Sequence, residues 1–138
     1  MEDGLLYKVS KEIHFCYGHR LLNYDGKCAH PHGHNGKIVI DLESKTLDPR
    51  GMVFDFGDMK EIVQKWVDEK LDHKMIVKKE DPLVKILKKM KEPYFLMDEN
   101  PTAENLAKLI FEFAKSKQLP IKSVTFWETI SSSATYGL

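Results

Sequence analysis

The histidine pair His32 and His34 stands directly before a run, 37–42, in which every second residue is Ile or Leu. Such alternation predicts a β-strand, and residues two apart on a strand point to the same face. Two imidazoles on one face, joined by a third from His19, would give the three-nitrogen set of catalytic zinc, whose fourth position stays open. Imidazole also suits copper, iron and nickel. The pattern therefore predicts a β-strand that carries a metal site.

Spacing alone leaves alternatives open at this cluster. A histidine pair two residues apart also occurs by chance on an exposed strand, where each ring is simply hydrogen-bonded. His14 and His30 compete for ligation, so the spacing does not fix which three histidines bind. Cys28 is either a reactive thiolate, its pKa lowered by a nearby metal, or a fourth ligand that makes the site closed and structural. Cys16 is expected to be buried and inert.

Length and charge exclude several classes of protein. The 138 residues suffice for one domain, 1–138, with a sizeable core. Lys and Arg number 21, as do Asp and Glu, and this balance argues against bulk electrostatic binding to nucleic acid or a membrane. No apolar run has the length of a transmembrane helix. Two cysteines make no disulfide framework and residues 1–4 lack a signal-peptide pattern, so we expect a cytoplasmic protein.

Apolar periodicity predicts four strands and two long helices. Alternation places the strands over 7–17, 34–43, 121–130 and 134–136. Helical spacing predicts one long helix from about Asp58 to Leu71 and another that Thr102 caps, with a shorter basic helix over 81–91. This order predicts an α+β fold, an antiparallel four-stranded sheet with two long helices on one face. The edges of such a sheet favour oligomerisation.

Glu128 conflicts with the apolar face on which alternation places it. The pattern puts its carboxylate beside Val124, Phe126 and Ile130. A carboxylate in such surroundings needs a partner. The partner is either an internal Arg or Lys, or a ligand that offers paired N–H donors, such as the edge of a pterin or guanine.

The pair Asp72 and His73 follows the first long helix. A carboxylate beside a histidine can orient and polarise the imidazole for proton transfer. Neighbouring side chains often point apart, however, and a helix C-cap role for one of the two is the alternative.

Six segments resemble the family of the 6-pyruvoyl- and 6-carboxy-tetrahydropterin synthases in order and spacing. They are 15–21, 28–34, 52–56, 71–73, 100–105 and 128–129, together with Tyr136. The resemblance implies the tunnelling fold, in which an antiparallel sheet with two helices assembles into barrels. It also implies a homohexamer of two stacked trimers, with active sites at the subunit interfaces.

The resemblance implies a role for each candidate residue. The zinc ligands are His19, His32 and His34; the catalytic residues are Cys28, Asp72 and His73; and the substrate-binding residues are Glu128 and Thr129. In this scheme Cys28 abstracts a proton, Asp72 and His73 complete its relay, and Glu128 anchors the pterin ring. The substrate is 7,8-dihydroneopterin triphosphate.

The gap between Cys28 and His32 favours one branch of the family. Three residues separate them, as in the 6-carboxy enzymes of queuosine biosynthesis, whereas the pyruvoyl enzymes usually have a longer gap. The expected products are therefore 6-carboxy-5,6,7,8-tetrahydropterin, acetaldehyde and triphosphate. The alternatives are a 6-pyruvoyl-tetrahydropterin synthase, a related pterin side-chain lyase, and a non-catalytic zinc- or pterin-binding module.

Four features depart from the usual pattern of the family. Residues 16–18, Cys-Tyr-Gly, replace the small residues that usually precede the first histidine. Gly36 stands where an aromatic residue is common, and His30 adds a further candidate ligand. Residues 77–97 have the character of a helical insertion before the second long helix.

Overall fold

Six strands drawn from the whole length of the chain form one sheet. The protein is described here by a computed structural model that covers residues 4–138, so the prediction for residues 1–3 lies outside the described residues. The strands are β1 (Tyr7–His19), β2 (His32–Ser44), β3 (Lys74–Lys78), β4 (Tyr94–Met97), β5 (Ile121–Trp127) and β6 (Ser133–Gly137). Their order across the sheet is β4-β3-β1-β2-β5-β6. The helices are α1 (56–70), α2 (Leu83–Met90) and α3 (Ala103–Ser116).

Strands β1 and β2 form a long antiparallel hairpin, which confirms the first two predicted strands. Each has 13 residues and runs two residues further toward the histidines than predicted. The register pairs His19 with His32, the last pair before the connection between the two strands, and it pairs Tyr17 with His34. Because alternate residues share a face, all four side chains lie on the side of the sheet that the core covers.

The four predicted strands are present and pair antiparallel, but two further strands make the sheet six-stranded and mixed, so the prediction of a four-stranded, purely antiparallel sheet is wrong. β3 pairs in parallel with residues 17–19 of β1, and β4 pairs in parallel with β3. These two strands flank α2, so the segment 77–97 contains strand as well as the predicted helix. Ile76 and Val77 are adjacent in β3 and both fully buried. A strand covered on both faces shows no alternation, which is why period-two reasoning misses it.

Helix α1 is continuous but not uniform. It consists of α-helical Phe56–Met59, π-helical Lys60–Gln64 and α-helical Lys65–Lys70. The carboxylate of Asp55 caps the helix, because it accepts hydrogen bonds from the amides of Gly57 at 2.6 Å and Asp58 at 3.3 Å. The helix therefore begins two residues before the predicted start at Asp58.

Helices α1 and α3 pack on one face of the sheet, as predicted. Thr102 caps α3 by accepting a hydrogen bond from the amide of Asn105 at 3.1 Å, which confirms the predicted cap. The shared core includes Ile13, Phe15, Ile38, Ile40, Met59, Val63, Leu106, Ile110, Val124 and Phe126. Helix α2 packs in a smaller separate cluster beside β3. Within residues 4–138, no helix has the length and apolar character needed to cross a membrane.

Candidate functional site

Three histidine rings meet at the end of the β1–β2 hairpin. The ring centroids of His19 and His32 are 4.6 Å apart, those of His19 and His34 5.0 Å, and those of His32 and His34 4.9 Å. The carboxylate of Glu128, which directly follows β5, joins them. One ligand atom from each of the four residues lies within 4.8 Å of the others. The predicted histidine triad is therefore a real cluster.

Backbone carbonyls fix the tautomer of two of these rings. The Nδ1 atom of His19 lies 2.7 Å from the carbonyl oxygen of Pro101, and that of His32 lies 2.7 Å from the carbonyl of His30. A carbonyl only accepts, so each Nδ1 must carry the hydrogen. In a neutral ring the Nε2 atom then holds a free lone pair. Such outer contacts are the usual way in which a metal-binding imidazole is oriented.

Two of the Nε2 atoms face a carboxylate without forming a hydrogen bond to it. Oε1 of Glu128 lies 3.2 Å from Nε2 of His19 and 3.0 Å from Nε2 of His34, yet both nitrogens are buried and make no hydrogen bond. Burial lowers the pKa of His19, although the Pro101 hydrogen bond and the Glu128 charge act the other way. In the neutral tautomer that Pro101 fixes, the Nε2 lone pair of His19 points at an oxygen that also carries lone pairs.

A divalent cation resolves this conflict. Ligands of tetrahedral zinc, at bond lengths of about 2.0–2.1 Å, lie roughly 3.3 Å from one another. The two separations from Glu128 are close to that value. Three imidazole nitrogens, with or without a carboxylate oxygen, are a donor set that zinc accepts. The residues present thus fit a zinc ion held by His19, His32 and His34.

The other two candidate histidines lie outside this cluster. His14 points to the opposite face of β1, is largely exposed, and lies 3.8 Å from the carboxylate of Glu12. His30 contributes its backbone carbonyl to His32 rather than its own ring. Of the histidines that the sequence leaves open, the structure brings together the triad that the resemblance implies.

Glu128 reaches the cluster from the end of β5. Val124 and Phe126 are fully buried on the predicted face, whereas Ile130 is fully exposed, because β5 ends at Trp127 and the alternation stops there. The last residue pair between β5 and β2 is Trp127 with Lys37. Glu128 comes directly after it, on the side of this pair that leads along β2 toward His34. Sequence reasoning missed this proximity to the triad. The strand register is the signal that shows it.

Thr129 lies apart from the histidine cluster in this protomer. Its hydroxyl accepts a hydrogen bond from the amide of Ser131 at 3.3 Å, in the turn between β5 and β6. It also borders a cavity of about 340 Å³ on the far face of the sheet, together with His14 and Lys37. The structure therefore separates Thr129 from the side-chain carboxylate of its neighbour Glu128.

The two cysteines differ from their predicted surroundings. Cys28 lies in the short 3-10 turn Lys27–Ala29, half-buried, and its thiol is not part of the group of ligand atoms around His19. This placement favours a free thiol over a fourth ligand. Cys16 is exposed, and its thiol donates to the side chain of Asn35 at 2.9 Å. The prediction that Cys16 is buried is wrong, because even-numbered residues of β1 face away from the helices.

Asp72 and His73 form a dyad that docks on β1. The Asp72 carboxylate accepts the amide hydrogen of Cys16 at 3.0 Å and lies 2.8 Å from Nδ1 of His73. The amide of His73 donates to the Cys16 carbonyl at 2.7 Å. Burial opposes ionisation of Asp72, but these two hydrogen bonds hold its pKa below the usual value. The carboxylate fixes Nδ1–H of His73, so Nε2 is free to exchange a proton.

His73 of the dyad shares a cavity with one histidine of the triad, His32. A cavity of about 490 Å³ is bordered by His32, Gly33, His73 and Met75, among other residues. The ring of His73 is mostly exposed, with 78% of its side chain accessible. Cys28 is not among the lining residues of this cavity. Within one protomer, the structure thus brings His73 toward His32 but does not bring Cys28 to the dyad.

A buried ion pair follows the first candidate ligand directly. Arg20 donates to the carboxylate of Asp81 through Nε at 2.8 Å and through a second guanidinium nitrogen. Asp81 is only 2% exposed and also accepts the amide hydrogen of Leu83 at 2.8 Å, at the start of α2. The pair ties the connection between β3 and α2 to the end of β1. Sequence reasoning missed it, because the two residues are 61 positions apart.

Tyr17 places an unpartnered hydroxyl in the wall of the site. The residue is 4% exposed, and its hydroxyl oxygen is buried without a hydrogen bond. Its ring centroid lies 5.1 Å from that of His19 and 5.7 Å from that of His34. Burial and the nearby Glu128 charge raise the pKa of Tyr17 far above its ordinary value. The phenol therefore stays protonated and can donate.

Comparison with known proteins agrees with this arrangement. The chain matches the model of the 6-pyruvoyl tetrahydropterin synthase family over residues 8–137. It is 34% identical over 139 residues to the 6-carboxy-5,6,7,8-tetrahydropterin synthase of Haemophilus influenzae, covering 95% of this chain and 99% of that one. It is 30% identical over 158 residues to the protein of the same name from Aquifex aeolicus, covering 94% and 97%.

Solved structures show the same fold. An uncharacterised protein from Wolinella succinogenes is similar with a TM-score of 0.82 at 28% identity, covering 97% of this chain and 99% of that one. The 6-pyruvoyl tetrahydropterin synthase of Caenorhabditis elegans is similar with a TM-score of 0.72 at 26% identity, covering 97% and 96%. This chain therefore shares its α+β architecture with both proteins, the second of which is a pterin synthase.

Proposed function

We propose that this chain, which belongs to the 6-pyruvoyl tetrahydropterin synthase family, is a zinc-dependent enzyme that converts 7,8-dihydroneopterin triphosphate to 6-carboxy-5,6,7,8-tetrahydropterin. Acetaldehyde and triphosphate are the other products. The observation that carries the proposal is the group of three imidazole nitrogens with the Glu128 carboxylate beside them. The names of the curated relatives support the choice of product.

In this proposal the histidines hold zinc and the glutamate holds the ring. His19, His32 and His34 are the ligands, and bound zinc supplies Lewis acidity that makes the carbon-bound protons of the substrate side chain easier to remove. Glu128 turns from the imidazoles to the pterin, whose amino group and ring N–H match its two oxygens. Because the Glu128 carboxylate lies beside the triad, a pterin ring bound to this carboxylate has its own side chain next to the zinc ligands.

Proton transfer falls to Cys28 and to the dyad. The Cys28 thiolate takes a proton from carbon, and a positioned base of this kind contributes about 10²–10⁴-fold to rate. His73, held in one tautomer by Asp72, exchanges protons through Nε2. Triphosphate then leaves with the electrons of its C–O bond. Proton shifts leave two adjacent carbonyls in the side chain; water adds to the carbonyl next to the ring, and cleavage of the carbon–carbon bond between them gives the 6-carboxylate and acetaldehyde.

The separation of Cys28 from the dyad supports an active site that is formed by two subunits. Cys28 lies in the β1–β2 turn, whereas His73 lines a different surface of the same protomer. A homohexamer of two stacked trimers, with sites at the subunit interfaces, would supply Cys28 from one subunit and Asp72 with His73 from its neighbour. The relay is then complete only in the oligomer.

Product analysis tests the proposal. Purified protein with zinc is incubated with 7,8-dihydroneopterin triphosphate, and the pterins and acetaldehyde are identified by mass spectrometry. We expect 6-carboxytetrahydropterin and acetaldehyde in equal amounts, with loss of both after chelation. The pyruvoyl product without acetaldehyde would make this chain a 6-pyruvoyl-tetrahydropterin synthase. Pterin binding without any product would make it a binding module.

A further inference from the structure

We propose that Tyr17 is a positioning residue whose hydroxyl holds the Glu128 carboxylate in the orientation that binds the pterin ring. The inference rests on the proposed function and adds a residue to it. It starts from Tyr17, whose ring packs against two candidate zinc ligands and whose buried hydroxyl makes no hydrogen bond. A buried hydroxyl that lacks an acceptor costs free energy of folding. An unpartnered hydroxyl in the wall of a site therefore indicates an acceptor that reaches it only in another state of the site.

The packing of the ring fixes where the hydroxyl lies. The Tyr17 ring stacks on Phe15 at 5.1 Å between centroids and meets the edge of Phe126 at 5.6 Å. Gly36 makes room for it, because a Cβ atom at Gly36 would lie 3.1 Å from the Tyr17 ring. The aromatic side chain thus occupies the space that a side chain at position 36 would fill. Because the ring is held on several sides, the hydroxyl cannot move to another hydrogen-bond partner.

The strand register brings the acceptor to the same place. Tyr17 is paired with His34, and the Glu128 carboxylate lies 3.0 Å from the ring of His34. Glu128 follows Trp127, which pairs with Lys37, so Glu128 comes next to Gly36, where the Tyr17 ring packs. In this structure the carboxylate lies against the imidazoles. When it turns to a pterin, the phenolic O–H of Tyr17 donates to the oxygen that faces the wall.

Two measurements on Tyr17→Phe test the inference, because they are expected to change in opposite directions. In chelator-treated protein the variant removes an unsatisfied buried hydroxyl, so the melting temperature should rise by about 2–5 °C. In zinc-loaded protein the affinity for pterin-6-carboxylate, measured by calorimetry, should fall about tenfold. A hydroxyl with a purely structural partner would instead lower the melting temperature and leave the affinity unchanged.

A double-mutant cycle tests whether Tyr17 acts through Glu128. If it does, Tyr17→Phe should cost no further affinity in a Glu128→Ala background. Tyr7→Phe is the matched control, since it removes an exposed hydroxyl from the same strand and should change neither quantity. Full additivity, or unchanged affinity in Tyr17→Phe, overturns the inference alone. Wild-type protein that binds no pterin overturns the proposed function and the inference with it.

Discussion

Nε2 of His19 lies 3.2 Å from Oε1 of Glu128, and no hydrogen bond satisfies the nitrogen. The Pro101 carbonyl holds the hydrogen of this ring on Nδ1, so in the neutral form both facing atoms are acceptors. Such a contact is stable only when positive charge lies between the two atoms or when the carboxylate moves away. We therefore expect metal binding and substrate binding to be coupled at this point of the site, and single substitutions should separate the two.

Loss of any one triad histidine should abolish tight zinc binding. His19→Ala removes a first ligand, so its effect should exceed the roughly 10–100-fold that the loss of an outer-shell partner costs. His14→Ala and His30→Ala are the controls, because one ring points to the other face and the other residue contributes only its carbonyl. Zinc per subunit, measured by elemental analysis after dialysis, checks this. Full zinc content in His19→Ala would refute the ligand assignment.

Replacing Cys28 should remove turnover and leave the metal in place. The thiol lies outside the ligand group, so Cys28→Ala should keep one zinc per subunit while product formation falls by about 10²-fold or more. Cys16→Ala is the matched control, since this exposed thiol bonds only to Asn35. Loss of zinc in Cys28→Ala would instead show a closed, structural site.

Mixing two inactive variants should restore part of the activity. If Cys28 and His73 act from different subunits, co-expressed Cys28→Ala and His73→Ala chains form some sites with both native residues. Each variant alone should be inactive, and the mixed oligomer should regain product formation. The amount of 6-carboxytetrahydropterin formed by the purified mixture measures the recovery. A mixture as inactive as its components would place both residues in one subunit.

Glu128→Gln should weaken pterin binding more than zinc binding. The substitution keeps the shape but places an N–H₂ donor opposite a ligand donor. Hydrogen bonds to a charged group are worth about 1.5–3 kcal/mol, which is about tenfold to a hundredfold in affinity. Calorimetry with pterin-6-carboxylate, with zinc content measured in parallel, checks both quantities. Unchanged pterin affinity would leave Glu128 with a structural role at the histidines.

The Arg20–Asp81 pair should make stability depend on pH in the acid range. Arg20 is the main cause that lowers the pKa of Asp81, although burial opposes it. A lowered pKa in the folded state adds stability above the unfolded value, near 4, and that stability is lost as the pH falls through the lower, folded value. Asp81→Asn should thus cost about 2–3 kcal/mol at pH 7, and the difference from wild type should shrink below about pH 4.

Urea unfolding of Asp81→Asn and wild type at several pH values measures this difference. Asp98→Asn is a suitable control, because the exposed Asp98 carboxylate pairs with Lys79 at the surface. A difference that stays constant down to pH 3 would show that the ion pair adds no pH-dependent stability.

The sequence predicts the hairpin and its histidines, because these depend on local alternation. The cap of α3 at Thr102 is equally local and was predicted correctly. Strand β3 escapes prediction, since Ile76 and Val77 are both buried and the period-two signal is absent. Contacts between distant residues, such as Arg20 with Asp81, leave no periodic trace in the sequence.

In the candidate site, too, the local features could be predicted from the sequence and the long-range ones could not. The triad could be predicted from spacing and resemblance, whereas the position of Glu128 depends on where β5 ends and how it pairs with β2. A one-residue difference in the strand end decides whether a carboxylate meets the histidines. Alternation placed Ile130 on the buried face, where the turn that follows Trp127 instead leaves it exposed.

The hydrogen bond from His19 to Pro101 joins residues 82 positions apart in the chain. The carboxylate at the same site comes still later, at Glu128. During synthesis the hairpin with His32 and His34 therefore emerges long before the groups that complete the cluster. Because such distant contacts form late in folding, zinc capture should report the end of folding rather than begin it. A nascent chain that stops before α3 can offer the ion three imidazoles, but not the fixed orientation that makes them a tight site.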